Sequence, residues 1–169
     1  MARIFFAVWP VSAGAQRLAR LALDVATVSE GKPVPGEKIH LTLAFLGEVA
    51  EPRIEAAGAA ARTIAFDRFA FALDRVGSFR AARVAWAGSG EAPAELAALQ
   101  SALAARLREA GFEIEERPLA PHATLARRIR HPVPLAAIEP IAWPVDAFTL
   151  VRSVTGTGRY EVVEVYPAR

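Results

Sequence analysis

One strand-like phrase occurs twice in this chain of 169 residues, as HLTLA over residues 40–44 and as HATLA over residues 122–126. The two copies begin about half a chain length apart. Alternate residues of a β-strand point to the same side. Each copy therefore places its imidazole and its hydroxyl on one face of the strand and its second and fourth residues, which are apolar, on the other. A repeat at this spacing restricts the chain to folds built from two similar halves.

Apolar periodicity around the two copies predicts alternating strands and helices. The proline-rich segment 132–144 is predicted to run over the surface. Phe5, Phe45 and Trp86 are interpreted as core residues, with stacking on a nucleobase as the alternative. Since a strand–helix–strand–helix order occurs twice, the sequence predicts an α+β fold with an internal duplication. Strands are predicted over residues 2–9, 38–46, 67–76, 83–88, 122–127, 145–153 and 159–166, and helices over residues 12–25, 52–64 and 93–110.

Length and composition favour a single domain over residues 1–169. The chain has no cysteine, which excludes disulfides and thiolate metal sites and favours a reducing cytoplasm. No apolar run approaches the roughly 20 residues needed to span a bilayer. The apolar segment 3–9 stops at Pro10 and is interpreted as a buried strand rather than a signal peptide. We therefore expect a cytoplasmic monomer with no membrane segment and no obligate protein partner.

Two imidazoles and two hydroxyls brought together by a duplication suit two kinds of chemistry. A zinc site would need a third protein ligand, yet neither copy of the phrase has a carboxylate on its histidine face, and the remaining histidine, His131, lies beyond a basic cluster. The alternative is acid–base catalysis, in which one imidazole takes a proton and the other gives one. Threonine hydroxyls and a nearby arginine would hold phosphate oxygens. The pattern favours metal-free cleavage of a phosphodiester over metal binding.

Basic side chains are almost all arginine, and Lys32 and Lys38 are the only lysines among 20 basic residues. In a chain this rich in alanine, the bias is typical of a GC-rich genome. The cluster at residues 127–131 is a separate feature. Its first member, Arg127, suits bidentate contact with phosphate, but in an ideal strand it is out of phase with Thr124. A bulge or turn is therefore required for Arg127 to reach the phosphate. Arg128, Arg130 and His131 are interpreted as a solvated basic edge, with contact to an RNA backbone as the alternative.

Several segments, spread over nearly the whole chain, resemble the two-histidine (2H) phosphoesterases. Among these, the chain is similar to the bacterial and archaeal RNA 2′,3′-cyclic phosphodiesterases, which are also called 2′-5′ RNA ligases. The small Ala123 departs from the larger apolar residue that the family often has at this position. The similar segments are residues 3–10, 34–47, 83–88, 121–127, 148–153 and 160–163.

This resemblance implies a bilobal fold with two antiparallel sheets that face a central groove and helices on the outside. It also implies hydrolysis of an RNA 2′,3′-cyclic phosphate end to a 2′-phosphate, with no metal and no cofactor. By the same resemblance, His40 is the proton donor and His122 the proton acceptor, while Thr42, Thr124 and Arg127 bind the phosphate. Ligation of RNA ends through a 2′-5′ bond would use the same site without ATP.

A second hypothesis is a non-catalytic module that binds RNA or a nucleotide in the same groove. It predicts salt-sensitive binding without turnover. The paired imidazoles favour the enzyme, because binding alone does not need them.

Overall fold

The computed structural model describes residues 1–116 and 120–169. These residues form nine strands, three α-helices and one turn of 3-10 helix at Gly36–Lys38. The elements in chain order are β1 (Ala2–Val8), α1 (Ser12–Ser29), β2 (Lys32–Pro33), β3 (Leu41–Val49), α2 (Glu51–Arg62), β4 (Phe69–Phe79), β5 (Val84–Gly88), α3 (Ala94–Glu109), β6 (His122–Arg127), β7 (Ala136–Val145), β8 (Ala147–Val154) and β9 (Arg159–Pro167).

The strands form an antiparallel sheet in the order β7-β4-β5-β6-β3-β1-β8-β9, and the short β2 pairs with β6. The two four-stranded halves meet between β6 and β3, where one residue pair, Leu41 with Ala123, joins them. Each of these two residues directly follows the histidine of its repeat. The α+β fold with a duplicated, two-lobed sheet is thus confirmed, and the two predicted sheets are continuous through this pair at the centre of the duplication.

Helices cover one face of each half and leave the histidine face open. Helix α1 packs on β6 and β7, whereas α3 contacts β3 and α2 contacts β9. The β3 and β6 side chains that alternate with the histidine face, Leu41, Leu43, Ala123 and Leu125, all lie in the buried core. Within the described residues, no helix is long and apolar enough to cross a membrane.

The proline-rich segment runs over the surface, as predicted, but most of it forms a strand rather than a loop. Residues 136–145 form β7, which pairs along β4 at one edge of the sheet. Proline is tolerated there because an edge strand has one side without ladder hydrogen bonds. Pro144 is opposite Ala70, and Pro140 lies beside the register irregularity between Leu73 and Arg75. The surface position is therefore confirmed, whereas the strand was not predicted, because position in the sheet outweighs the proline-rich composition.

Candidate active site

Each repeat contains a β-bulge at its fourth residue, which is a leucine in both. In the β1–β3 ladder, Phe6 pairs with Ala44 but Ala7 pairs with Thr42, so Leu43 is the extra residue. In the β5–β6 ladder, the pairs on either side of Leu125 skip that residue in the same way. A bulge adds one residue to a strand and reverses which later side chains face each side. The duplication therefore extends to this local irregularity.

The bulges decide where the fifth residue after each histidine points. Arg127 is exposed on the open face, beside His122 and Thr124, as the predicted bulge requires. The equivalent residue of the first repeat is Phe45, and 55% of its surface is exposed. The prediction of Phe45 as a core residue is wrong, because the strand alternation that predicted it does not continue through the bulge at Leu43.

Every predicted site residue lines one cavity of about 410 Å³, which we call the histidine groove. His40 and Thr42 come from the first repeat, and His122, Thr124 and Arg127 come from the second. The other side chains that line the groove are Lys32, Pro33, Val34, Pro35, Lys38, Arg128 and Tyr160.

A larger cavity of about 740 Å³, the phenylalanine cavity, lies on the other side of two of these residues. Thr42 and His122 line both cavities, while Phe45 and Phe79 line the larger one. His131 lines neither cavity and instead lies 3.3 Å from Glu30. The third histidine is thus apart from the other two.

The two catalytic candidates have the same hydrogen-bond arrangement. His40 Nδ1 is 2.7 Å from the Lys38 carbonyl oxygen, and His122 Nδ1 is 2.9 Å from the Ala120 carbonyl oxygen. A carbonyl oxygen only accepts, so we assign the Nδ1 proton in both rings from this hydrogen bond. Nε2 is then the atom of each ring that can take or release a proton. In His40 it lies 3.2 Å from the Thr42 hydroxyl.

Aromatic packing makes the two imidazoles unequal. His40 stacks on Phe5 at 4.9 Å between ring centroids and also contacts Trp9 and Tyr160. Phe5 is buried, as predicted, but it packs against the imidazole as well as the core side chains. Desolvation lowers the pKa of His40; the hydrogen bond to Lys38 opposes this, and the charges of Arg127 and His122 lower the pKa further.

His122 has a more open environment. The edge of Phe79 meets its ring at 5.2 Å with the planes perpendicular, and Phe79 packs in turn against Trp86. Trp86, predicted to be a core residue, is half-buried and packs over Gly77 and Gly88. Three aromatic residues that the sequence did not assign to the site contact the imidazoles from segments distant in sequence: Trp9, Phe79 and Tyr160. No local pattern marks them.

Replacing Arg127 with glutamine is expected to raise the pKa of His40, because a positive charge that disfavours the imidazolium is removed. Nitrogen-15 NMR titration of the wild type and R127Q would measure this shift, with His131 outside the groove as the internal reference. Identical His40 titration curves in the two proteins would show that Arg127 does not act on this ring.

A duplicated antiparallel sheet that places two His-x-Thr motifs along one groove is the architecture of a 2H phosphoesterase. Residues 10–157 match the model of the 2′-5′ RNA ligase superfamily. The chain belongs to that superfamily.

Solved and curated relatives show the same likeness. The structure of Escherichia coli LigT complexed with 3′-AMP superposes with a TM-score of 0.89 at 29% identity, over 99% of this chain and 98% of that chain. An RNA 2′,3′-cyclic phosphodiesterase of Escherichia coli is 35% identical over 76% of this chain and 74% of its own length. One of Aeropyrum pernix is 38% identical over 66% of this chain, and the match spans 65% of that relative.

Proposed function

We propose that this protein is an RNA 2′,3′-cyclic phosphodiesterase that forms 2′-phosphate ends without a metal ion. The observation that carries the proposal is the pair of imidazoles in one groove, each with its Nδ1 hydrogen-bonded to the carbonyl two residues earlier. Two Nε2 atoms are thereby available for a base and an acid. Relatives that bear the name of this activity support the same function.

In the proposed reaction, water attacks phosphorus and the bond from phosphorus to O3′ breaks. His122 Nε2 accepts the proton of the attacking water, and His40 Nε2 donates a proton to the departing O3′. The product carries a 2′-phosphate and a 3′-hydroxyl. Thr42, Thr124 and Arg127 hold the non-bridging oxygens, where negative charge builds up in the transition state.

The environment of His40 fits the acid role. A lowered pKa makes its imidazolium a stronger acid. The negative charge of a bound phosphate favours the protonated ring, since an opposite charge nearby stabilises the charged form. Substrate binding therefore raises the pKa of His40. The ring is then protonated in the complex, where it donates its proton to the departing O3′.

The phenylalanine cavity offers a place for the terminal base. Phe45 is an exposed aromatic ring beside Thr42, and every nucleobase has a face that can stack on such a ring. Recognition through stacking tolerates all four bases. A phosphodiesterase with this site would therefore accept RNA ends of any sequence.

Ligation is a variant of the same chemistry. A 5′-hydroxyl of RNA would replace water as the nucleophile, with the same leaving O3′ and the same two histidines, and a 2′-5′ bond would form. Because the cyclic phosphate is already activated, no ATP is needed.

A substrate with a 3′ sulfur leaving atom separates the two histidine roles. A thiolate needs no protonation to leave, so H40A is expected to recover to within about tenfold of the wild type on the 3′-thio cyclic phosphate, whereas it loses about 10²–10⁴-fold on the normal substrate. H122A is expected to lose the same factor on both substrates. Recovery of H122A instead of H40A, measured as kcat/KM, would reverse the roles.

A further inference from the structure

The histidine groove carries more positive charge than one reacting phosphate requires. Lys32, Lys38 and Arg128 line it in addition to Arg127. Both lysines of a chain whose other 18 basic residues are arginines thus lie in one cavity. Among the described residues that line this cavity, none is a carboxylate.

Lys32 lies opposite another cation in the sheet. Strand β2 pairs with β6 so that Lys32 is opposite Arg127. Opposed side chains in an antiparallel pair lie about 4.5–5.5 Å apart at Cβ on the same face, and like charges there are destabilising. Within residues 1–116 and 120–169, no ion pair compensates Lys32, Lys38, Arg127 or Arg128. A bound anion would relieve this repulsion.

Lys38 is positioned by its neighbours. Its Nζ lies 5.2 Å from the centroid of the Tyr160 ring, a cation–π contact. A side chain at Gly158 would place its Cβ 3.2 Å from the same Nζ, so the turn between β8 and β9 approaches the ammonium closely. The carbonyl of Lys38 also holds His40 Nδ1. Lys38 therefore contributes its ammonium to the groove and its carbonyl to the orientation of the proposed acid.

Arg128 reaches the groove from an unusual backbone conformation. Its φ is +54°, in the left-handed region that residues other than glycine seldom adopt. The turn directly after β6 follows from this conformation. It allows two successive arginines, Arg127 and Arg128, to line the same cavity.

We propose that Lys32, Lys38 and Arg128 form a second anion site, which binds the phosphodiester on the 5′ side of the terminal nucleoside. This inference rests on the proposed function, because the first phosphate occupies the threonines and Arg127. On an RNA end, the nearest further anion is this phosphodiester, one nucleoside away. The site makes the 3′ end of an RNA chain, rather than a free nucleoside cyclic phosphate, the preferred substrate.

The test compares ligands that differ by one phosphate. Cytidine 2′,5′-bisphosphate is expected to bind the wild type about 10- to 100-fold more tightly than cytidine 2′-phosphate by calorimetry at low salt, because charge-assisted hydrogen bonds contribute on this scale. The K32Q/K38Q variant should bring that ratio close to one, with each single substitution reducing it in part. Arg20→Gln, which removes an exposed cation of α1 outside both cavities, is the matched control and should keep the ratio.

Cytidine 2′,3′-cyclic phosphate with and without a 5′-phosphate should show the same preference in kcat/KM. A wild-type binding ratio near one, or a ratio that survives in K32Q, in K38Q and in the double variant, would overturn the second site. A binding preference without hydrolysis of either cyclic substrate would support the anion site and contradict the proposed phosphodiesterase. Thermal melting of each variant shows that the ratios come from folded protein.

Discussion

Replacing His40 or His122 with alanine is expected to lower kcat/KM on a 2′,3′-cyclic phosphate by about 10²–10⁴-fold in each case, because each substitution removes one positioned proton transfer. The two losses should not multiply in the double variant, since groups that act as a unit are not additive. These factors would be measured as single-turnover and steady-state rates in excess EDTA. The substrate would be an RNA dinucleotide that ends in a 2′,3′-cyclic phosphate.

His131→Ala is the matched control for both substitutions. It removes the remaining histidine, which is near Glu30 and outside both cavities. Its activity is expected to stay close to that of the wild type. Circular dichroism would show whether the inactive variants keep the wild-type fold. Wild-type rates in folded H40A or H122A would exclude the corresponding ring from the chemistry.

Replacing Arg127 with alanine is expected to cost about 10²–10³-fold in kcat, the usual loss on removing one donor that stabilises transition-state charge. Arg127→Lys keeps the positive charge but loses the planar pair of donors, so an intermediate rate is expected. The neighbouring Arg130 is exposed and lines neither cavity, which makes Arg130→Ala the control.

R127A and R130A would be compared at saturating substrate, so that the effect on kcat is measured apart from the effect on substrate binding. Equal rates for R127A and R130A would show that a general basic edge, rather than one arginine at the phosphate, supports the reaction. A loss confined to KM would place Arg127 in substrate binding alone.

The repeated phrase predicted the four central side chains, because strand alternation holds from each histidine to its threonine. The requirement for a bulge before Arg127 could also be predicted from its phase. The matching bulge before Phe45 was missed, since an exposed phenylalanine in an apolar strand has no local signal that separates it from a core residue. The shift appears only in the strand pairing, where Phe6 pairs with Ala44 but Ala7 pairs with Thr42.

Other features depend on contacts between distant segments. The carbonyls that fix the histidine rings belong to Lys38 and Ala120, and their role follows from ring orientation rather than residue type. The pairing of Lys32 with Arg127 brings together residues nearly a hundred positions apart. The strand at residues 136–145 depends on its place at the sheet edge. The fold class and the meeting of the two repeats in one groove were readable from the sequence, whereas the surroundings of the two imidazoles required the tertiary structure.

The most direct test is to incubate the protein with cytidine 2′,3′-cyclic phosphate in excess EDTA and to identify the product isomer by phosphorus-31 NMR. The proposed reaction predicts cytidine 2′-phosphate as the sole product, formed at an undiminished rate without divalent metal. Cytidine 3′-phosphate as the product, or hydrolysis that stops in EDTA and returns with added metal, would contradict metal-free cleavage of the bond to O3′ by His40 and His122.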